Sequence, residues 1–369
     1  MLRLKSIQCT RRVEFYYALH KEMQAVIGRI HPTAMPRPAT VNIAAIEAGD
    51  VNMTLSTTLH NLAAYGGDGW RPRTHSLEAE IGPIWESCGQ RDEWSPLQAV
   101  LLHRPGEELA SDQNPNTLQM LEKIDPALAM RQHDSMADAY RAASVAVVYV
   151  APERLPPPNQ MFVADLFFMT PEGAVVGRPA SRIRAGEERW VARRLADHGI
   201  PILRTVNGTG VFEGADAMWI DAQTVLIGRG LRSNAEGACQ VAAVLESLGV
   251  RTLPVDLPCG TMHLMGMLRI VDRDLALAWP TRLAYRAVEA LRDRGYRVCF
   301  LPDQSEMLHG NALNFVTLGP RRILMPAGNP ATLAFYESLG IQCMQVDISE
   351  LAKAAGAVGC LTGILRREP

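Results

Sequence analysis

The chain repeats one unit, a helix that ends in glycine and is followed by a short apolar strand. The four glycines stand about 45 to 50 residues apart, a period typical of repeated supersecondary units. The junctions are His198-Gly199-Ile200, Leu248-Gly249-Val250, Arg294-Gly295-Tyr296 and Leu339-Gly340-Ile341. Glycine suits the left-handed backbone that ends a helix, because it has no Cβ to clash. The pattern predicts helices over 186–198, 234–248, 282–294 and 330–339.

Pairs of short strands are predicted between these helices. The apolar runs 217–220 and 224–227 form one pair, and 267–271 with 275–278 form a second. A less regular unit comes first and is listed here by its parts: a strand over 97–103, a helix over 135–142 and a strand over 145–150. About five such units predict an α/β fold, either a closed five-bladed ring or the more common open sheet.

Composition excludes several classes of protein. The 369 residues are 47% hydrophobic and 21% charged, with a net charge of −2, as in ordinary globular proteins. This balance gives no reason to expect a nucleic acid or an anionic membrane as partner. No apolar run approaches the ~20 residues of a membrane-spanning helix. No apolar segment follows the basic start either, so the sequence predicts a cytoplasmic protein without a secretory signal.

The seven cysteines are odd in number and include no CxxC pair. This argues against a disulfide framework and against a structural zinc site. We expect most of these thiols to be small buried apolar groups. Cys360 differs because its neighbours, Gly359 and Leu361-Thr362-Gly363, predict a turn at this position.

The N-terminal part of the chain has weak periodicity. It holds a proline-rich stretch over 32–38 and a glycine-rich stretch over 66–69. We interpret residues 1–84 as an extension of unclear role and 85–369 as the main domain. Residues 1–35 are expected to be a poorly ordered arm, or to precede a true start at Met35.

Ionisable and nucleophilic side chains stand at loop–strand junctions of successive units. Asp165 is expected just after a strand, and Glu213 with Asp216, His263 and Cys360 near the boundaries of later units. Each alone has an ordinary explanation, as a turn residue, a core histidine or an inert thiol. In a ring, however, equivalent junctions gather at one end of the axis, where a thiol, an imidazole and three carboxylates would form an active site.

Four motifs carry a resemblance to a known family. They are Phe162-Val163-Ala164-Asp165, Phe212-Glu213-Gly214-Ala215-Asp216, Met262-His263-Leu264-Met265-Gly266 and Gly359-Cys360-Leu361-Thr362. As an ordered set they resemble the guanidine-modifying enzymes of the pentein superfamily: arginine deiminases, dimethylarginine dimethylaminohydrolases and amidinotransferases. The resemblance runs from about Trp85 to Glu368. It implies a five-bladed α/β propeller, which agrees with the repeats.

The resemblance also implies roles. Cys360 would attack the guanidinium carbon, and His263 would protonate the leaving group and then activate water. Asp165 and Glu213 would hold the guanidinium, while Glu213 or Asp216 orients His263; Asp216 is also a candidate for substrate binding. Arg232, near a predicted helix start, is a candidate for the substrate carboxylate, or else an ordinary exposed arginine. No metal or organic cofactor is expected.

Two departures from the family pattern narrow the range of substrates that the resemblance implies. Arginine deiminases carry an aspartate where this chain has Met265, and many relatives have an arginine in place of Ala164. An apolar wall in place of a carboxylate is similar to the dimethylargininases, which accept N-substituted arginine.

Three functions remain open on the sequence. The first is a cysteine-dependent hydrolase of arginine or an N-substituted arginine, and the second is an amidinotransferase. The third is a non-catalytic pentein that binds guanidino ligands or a macromolecular partner. Retention of both Cys360 and His263 argues against the third. A homo-oligomer is compatible with the sequence.

Overall fold

The computed structural model describes residues 59–369, which fall into two compact units. Residues 59–73 belong to the first unit and contain one short 3-10 turn, Ala63–Tyr65. Residues 74–369 form the second unit and carry every other element named below. The expected arm and the alternative start at Met35 lie outside the described residues, and the boundary expected after residue 84 stays a prediction.

The second unit is built from five three-stranded sheets. In chain order the strands are β1 (Leu97–Leu102), β2 (Ala146–Tyr149), β3 (Phe167–Thr170), β4 (Gly173–Val176), β5 (Ile202–Thr205), β6 (Ala217–Asp221), β7 (Thr224–Arg229), β8 (Arg251–Asp256), β9 (Leu268–Asp272), β10 (Leu275–Ala278), β11 (Arg297–Phe300), β12 (Val316–Gly319), β13 (Arg322–Pro326), β14 (Gln342–Val346) and β15 (Gly363–Arg367). Each middle strand pairs antiparallel with one neighbour and parallel with the other.

The two ends of the second unit meet in one sheet, because the last strand β15 pairs with the first strand β1. This pairing decides between the two architectures left open by the sequence. The fold is a five-bladed α/β propeller, as expected, and its closure leaves each blade held between two neighbours.

Helices connect the second and third strands of each blade. In chain order the helices of this unit are α1 (Leu77–Glu80), α2 (Pro126–Ala142), α3 (Glu187–Asp197), α4 (Ala235–Ser247), α5 (Tyr285–Arg292), α6 (Gln304–His309), α7 (Pro330–Ser338) and α8 (Val358–Leu361). Of these, α2, α3, α4, α5 and α7 are the blade helices. None of the helices in residues 59–369 is long and apolar enough to cross a membrane.

The glycines that end four blade helices adopt the predicted backbone. Gly199, Gly249, Gly295 and Gly340 have φ angles of 71°, 74°, 83° and 78°. A side chain would strain the backbone at these positions, so the repeated glycine is required by helix termination.

Two helices differ clearly from their predicted bounds. Helix α2 begins nine residues before the predicted 135, because Asp125 caps it by accepting from the backbone N–H groups of Ala127 and Leu128. Helix α5 is shorter than predicted at both ends, from Tyr285 to Arg292, and no side chain caps its start.

The core consists of apolar clusters between sheets and helices. The middle strands are almost wholly buried; all four residues of β4 and of β10 are buried. The expectation that most thiols are buried is wrong: Cys239 and Cys259 are exposed, Cys299 and Cys343 half-buried, and only Cys88 and Cys360 buried among the described cysteines. Cys239 lies on the face of α4 that is exposed to solvent.

Candidate active site

The first strand of four blades, and β15 of the remaining blade, follows a short turn or loop that carries a polar side chain. Asp165 lies in a 3-10 turn before β3, and Glu213 precedes the turn before β6. His263 precedes β9, Asn314 precedes β12, and Cys360 lies in α8 before β15. The expectation that Asp165 follows a strand is therefore wrong, because Asp165 comes just before β3. The repeat brings these five positions to the same end of the propeller.

His263 and Glu213 form a short hydrogen bond at the centre of this site. His263 Nε2 lies 2.7 Å from Glu213 Oε2 and 3.7 Å from Asp165 Oδ1, and all three side chains are buried. Burial opposes the imidazolium charge, but the surrounding carboxylates outweigh it and raise the pKa of His263 to about 9. For Glu213, burial opposes ionisation but the His263 hydrogen bond and Arg184 prevail and lower the pKa to about 2. The pair is charged at neutral pH.

Both carboxylate oxygens of Glu213 have hydrogen-bond partners within the protein. Oε1 accepts from the backbone N–H of Ala180 at 3.1 Å and lies 3.4 Å from Arg232 Nη1. Oε2 accepts from His263, and Arg184 Nη1 lies 3.3 Å away. Of the two carboxylates that the sequence left open, Glu213 is therefore the one that contacts the His263 ring.

Asp165 has one oxygen engaged and one free. Oδ2 accepts from Arg184 Nη1 at 2.7 Å, whereas Oδ1 is buried without a hydrogen-bond partner. Arg184 itself is 2% exposed and also donates to Glu187 at 2.8 and 2.9 Å. Because a buried acceptor without a partner is costly, Oδ1 marks a place where a donor from a ligand would be stabilised.

Asn314 holds the nucleophile candidate at two points. Its Nδ2 donates to Cys360 Sγ at 2.9 Å, and its Oδ1 accepts from the Cys360 backbone N–H at 3.1 Å. Burial, followed by the charge of Asp165, raises the pKa of Cys360, while the Asn314 hydrogen bond and the charge of Arg269 oppose this. The thiol is thus protonated in the resting protein, and a cation beside Asp165 would favour its ionisation.

Gly359 leaves room for the buried guanidinium of Arg269. A Cβ at Gly359 would lie 1.8 Å from Arg269 Nη2 and 2.6 Å from Asn314 Oδ1. Arg269 donates from Nε to the Leu313 carbonyl at 3.2 Å. A side chain at Gly359 would therefore push apart the groups that position Cys360.

Asp216 lies behind the site and lines neither of the pockets that contain Cys360, so its position does not support the substrate-binding role expected for it. Its carboxylate accepts from Ser233 Oγ at 2.6 Å and from the Leu264 backbone N–H at 3.0 Å, and burial raises its pKa to about 6. These bonds anchor the segment that follows His263. Arg232 is 9% exposed and shares a narrow pocket with Asp165, Arg184 and Cys360, so it does lie at the site.

A metal ion is a possible occupant by distance alone. Asp165, Glu213 and His263 each bring one ligand atom within 4.8 Å of the others. However, His263 Nε2 is engaged by Glu213, and Arg184 already lies within hydrogen-bond distance of both carboxylates. The set is an ion-pair network whose charge is supplied by nitrogen cations, and it fits a metal poorly.

Most of the chain matches a known enzyme family. The profile described as N,N dimethylarginine dimethylhydrolase, eukaryotic, matches residues 107–366. An N(G),N(G)-dimethylarginine dimethylaminohydrolase of Streptomyces coelicolor is 30% identical over 271 residues, covering 73% of this chain and 98% of that protein. The chain belongs to the N,N-dimethylarginine dimethylhydrolase family. It is thus a guanidine-modifying enzyme of the hydrolase type.

Solved structures of this family and of the wider superfamily share the fold. The Pseudomonas aeruginosa dimethylarginine dimethylaminohydrolase complexed with citrulline superposes with a TM-score of 0.62 at 25% identity, covering 74% of this chain and 100% of that one. The amidinotransferase SxtG of Microseira wollei, 14% identical, has a TM-score of 0.63 over 76% of this chain and 98% of its own. The second likeness supports the pentein propeller alone.

Two residues of the site were missed from the sequence. The repeat gives a weak signal for Asn314, since it stands in the segment before β12 as His263 stands in the segment before β9, but at a distance of two residues from the strand and not five. Arg184 gives no such signal, because Arg178 and Arg182 stand in the same segment and only the fold selects which arginine is buried.

Proposed function

We propose that this protein is a cysteine-dependent hydrolase acting on the guanidinium group of arginine or an N-substituted arginine. The products would be citrulline and ammonia or an amine. The observation that carries the proposal is the buried, unpartnered Oδ1 of Asp165, which lies 3.7 Å from His263 Nε2 in a pocket shared with Cys360. An anionic acceptor beside a thiol and an imidazolium suits a planar cationic substrate.

Asp165 binds the substrate guanidinium in this proposal, and Glu213 does not. Oδ1 of Asp165 is the free acceptor, whereas both oxygens of Glu213 are engaged within the protein. Arg232 lines the same pocket and is the cationic group proposed for the carboxylate of the substrate, whereas Arg184 is already bonded to Asp165 and Glu187. The amino-acid end therefore extends towards Arg232 and the guanidinium towards Cys360.

Substrate binding activates the nucleophile. Burial and then Asp165 raise the pKa of Cys360, so the free enzyme holds a thiol. A bound guanidinium neutralises Asp165 and adds a positive charge, and the thiol loses its proton to solvent. The thiolate then forms a C–S bond with the guanidinium carbon, giving a tetrahedral adduct that is held by the Asn314 clamp.

His263 supplies the proton and later receives one. Its Nε2 is held by Glu213, so Nδ1 is the ring nitrogen left for the substrate. With a pKa raised to about 9 by the surrounding carboxylates against the opposing effect of burial, His263 is an imidazolium at neutral pH and protonates the departing amine. The C–N bond breaks, an amidino-thioether remains, and neutral His263 then takes a proton from the water that releases citrulline and Cys360.

An N-substituted arginine is favoured over free arginine as substrate. Met265 gives the cavity beside His263 an apolar wall where a second carboxylate would hold an unsubstituted guanidinium. Relatives from Streptomyces coelicolor and Pseudomonas aeruginosa are named as dimethylarginine dimethylaminohydrolases. Their names support the same assignment for this chain.

An amidinotransferase is the second candidate. The cavity that His263 and Cys360 line is large enough to admit an amine in place of water. In that reaction the bond between the guanidinium carbon and Nδ would break first, with His263 giving a proton to the departing ornithine. The acceptor amine would then attack the amidino-thioether, and the C–S bond would break to release the new guanidino compound and Cys360.

Product analysis separates these functions. Purified protein is incubated with arginine, monomethylarginine or dimethylarginine, each with and without glycine, beside the Cys360→Ser variant. We expect citrulline with methylamine or dimethylamine, and no product from Cys360→Ser. Ornithine that forms only when an amine is added would replace the hydrolase with the transferase. Citrulline formation that survives in Cys360→Ser would refute the cysteine mechanism.

A further inference from the structure

A small cavity lies on the axis of the propeller. Residues of β3, β6, β9, β12 and β15, one strand from each blade, line it, and so does Gly359, the residue before Cys360. Its volume is about 50 Å³, and we call it the axial cavity. One water needs about 10–15 Å³ of such space, so the axial cavity has room for a few waters or one small inorganic ion. An arginine derivative does not fit in it.

Two buried arginines line the axial cavity and have few hydrogen-bond partners. Arg269 on β9 is 7% exposed and Arg367 on β15 is 4% exposed. A guanidinium carries five N–H donors. Among residues 59–369, however, the side chain of Arg269 donates only to the Leu313 carbonyl at 3.2 Å, and that of Arg367 only to the Ser95 carbonyl at 2.7 Å. Buried N–H groups nearly always have an acceptor, so the remaining donors favour an acceptor in the cavity.

The charged groups that line the axial cavity have a positive excess. Glu93 is the one carboxylate among the described residues that line it. Its Oε1 accepts at 3.1 Å from Gln90 Nε2 and at 3.1 Å from the Trp219 backbone N–H, and it bonds to neither arginine. Burial raises the pKa of Glu93 to about 7, although the charges of Arg367 and Arg269 oppose this. Two cations therefore face at most one negative charge, whether or not Glu93 is ionised.

The other polar groups near the axial cavity are already bonded. Thr317 and Thr362 line it, and their hydroxyl groups donate to backbone carbonyls at 2.8 and 2.7 Å. Asp92 does not line it, and its carboxylate accepts from the backbone N–H of Ser95 at 2.6 Å and from the Ser95 hydroxyl at 2.7 Å. An anion would thus supply both the acceptor and the charge that the two arginines lack.

We propose that the axial cavity binds a small inorganic anion, of which chloride is the probe, between Arg269 and Arg367. A halide accepts N–H donors from any direction, which suits guanidinium groups that are fixed by burial. Gln90 and Arg367 also line a second cavity, of about 200 Å³, which includes the exposed C-terminal Pro369. An ion therefore has a route from solvent to the axial cavity that does not pass Cys360.

The bound anion would lie close to the segment that carries Cys360. A Cβ on Gly359 would lie 1.8 Å from Arg269 Nη2, so the guanidinium packs against this segment. Burial and then Asp165 raise the pKa of the Cys360 thiol, and Arg269 is among the groups that oppose this rise. An anion that neutralises Arg269 should raise the thiol pKa further, and alkylation of Cys360 at a given pH should become slower.

The first test is urea unfolding of the full chain in increasing sodium chloride, with sodium gluconate added to keep the ionic strength constant. Gluconate is a much larger anion and does not fit in the axial cavity. A ligand that binds only the folded protein lowers the equilibrium constant of unfolding, by about elevenfold when its concentration is ten times Kd. We expect a chloride-dependent stabilisation that saturates. Equal stability in the two salts would mean that water alone supplies the acceptors, and would overturn the proposal.

Variants locate the effect in the axial cavity. Arg269→Met should abolish the chloride-dependent stabilisation, whereas Arg286→Met, which removes a charge from the exposed face of α5, is the control and should keep it. Glu93→Gln retains an acceptor for Gln90 and Trp219 and removes the opposing charge, so chloride should bind more tightly. A chloride response that survives in Arg269→Met overturns the site. If Arg269→Met does not fold, Glu93→Gln decides, and an unchanged or weaker affinity for chloride overturns the site.

Anomalous diffraction from crystals grown in sodium bromide shows where the ion lies. We expect a bromide peak within hydrogen-bond distance of both Arg269 and Arg367, and bromide on the surface alone, an adventitious ion only, overturns the proposal. Alkylation of Cys360 by iodoacetamide, followed by mass spectrometry of its peptide, should be slower in chloride than in gluconate. Equal rates would place the ion away from Arg269 and contradict the site. None of these measurements needs turnover, so they stand whether or not the proposed function does.

Discussion

Replacing Glu213 with glutamine changes the charge beside His263 and little of the shape. Glu213 Oε2 lies 2.7 Å from His263 Nε2, and both side chains are buried. The carboxylates around His263 overcome its burial and raise the pKa from 6.5 to about 9. At about 1.36 kcal/mol per pH unit, this favours the imidazolium by roughly 3 kcal/mol. An opposite charge at this distance accounts for about 1–2 pH units.

We expect Glu213→Gln to lower the pKa of His263 by that amount. The imidazolium is the proton donor, so activity is lost as the pH rises through its pKa. The alkaline limb of kcat should therefore move about 1–2 pH units to lower pH. The variant should also unfold more easily by about 3–5 kcal/mol, because Arg184 and Arg232 lose a buried counter-charge.

The sign of the stability change with pH follows from the same pKa. His263 has a higher pKa folded than unfolded, so its contribution is complete below about pH 6.5 and is lost as the pH rises through about 9. In Glu213→Gln this contribution should be smaller and should disappear at lower pH. Urea denaturation at several pH values measures it.

The assay is an NMR titration of ¹³C-labelled histidine, with His263→Gln used to assign the resonance. Glu246→Gln, a neutralised glutamate on the exposed face of α4, is the matched control and should change neither the titration nor the pH profile. An alkaline limb that stays in place in Glu213→Gln would refute the reasoning, since Glu213 would then not support the imidazolium.

Three further outcomes are expected. Asn314→Ala removes the donor to Cys360 Sγ and should raise the thiol pKa, so alkylation of Cys360 by iodoacetamide should require higher pH. The free energy of unfolding of this variant should be lower by about 1 kcal/mol. Gly359→Ala forces a Cβ to 1.8 Å from Arg269 Nη2 and should destabilise the protein by about 1–3 kcal/mol in urea, whereas Gly266→Ala, in open space, should not. EDTA should leave the turnover rate unchanged, because arginines neutralise the carboxylates of the site; loss of activity restored by a metal would contradict this.

The repeat could be predicted because glycine has a local backbone role. Gly199 and its three equivalents mark helix ends whatever the tertiary contacts are, and strands such as β6 and β7 alternate with them. Strands β3, β4, β12 and β13 were not named from the sequence, because their buried runs lack the alternation that marks a half-exposed strand. The equally buried β10 was found because a tight turn joins it to β9. Closure became certain only with the β1–β15 pairing.

The candidate site was predictable in its motifs and less so in its contacts. The sequence placed Asp165, Glu213, His263 and Cys360 at equivalent junctions, and the family resemblance gave their expected roles. It could not choose which carboxylate meets His263, because Glu213 and Asp216 are only three residues apart and backbone direction decides between them. Arg184 could not be predicted either, because only burial in the folded protein distinguishes it from the other arginines of its segment.

Trapping the covalent intermediate on Cys360 tests the central claim most directly. Wild type and His263→Asn are mixed with Nω-methylarginine, quenched in acid within milliseconds to seconds, digested and analysed by mass spectrometry. The account predicts a transient adduct on the Cys360 peptide of the wild type with the mass of the substrate less methylamine. In His263→Asn the adduct should form much more slowly or not at all, because the leaving amine is no longer protonated. Citrulline release without any adduct on Cys360, or with the adduct on another residue, would contradict it.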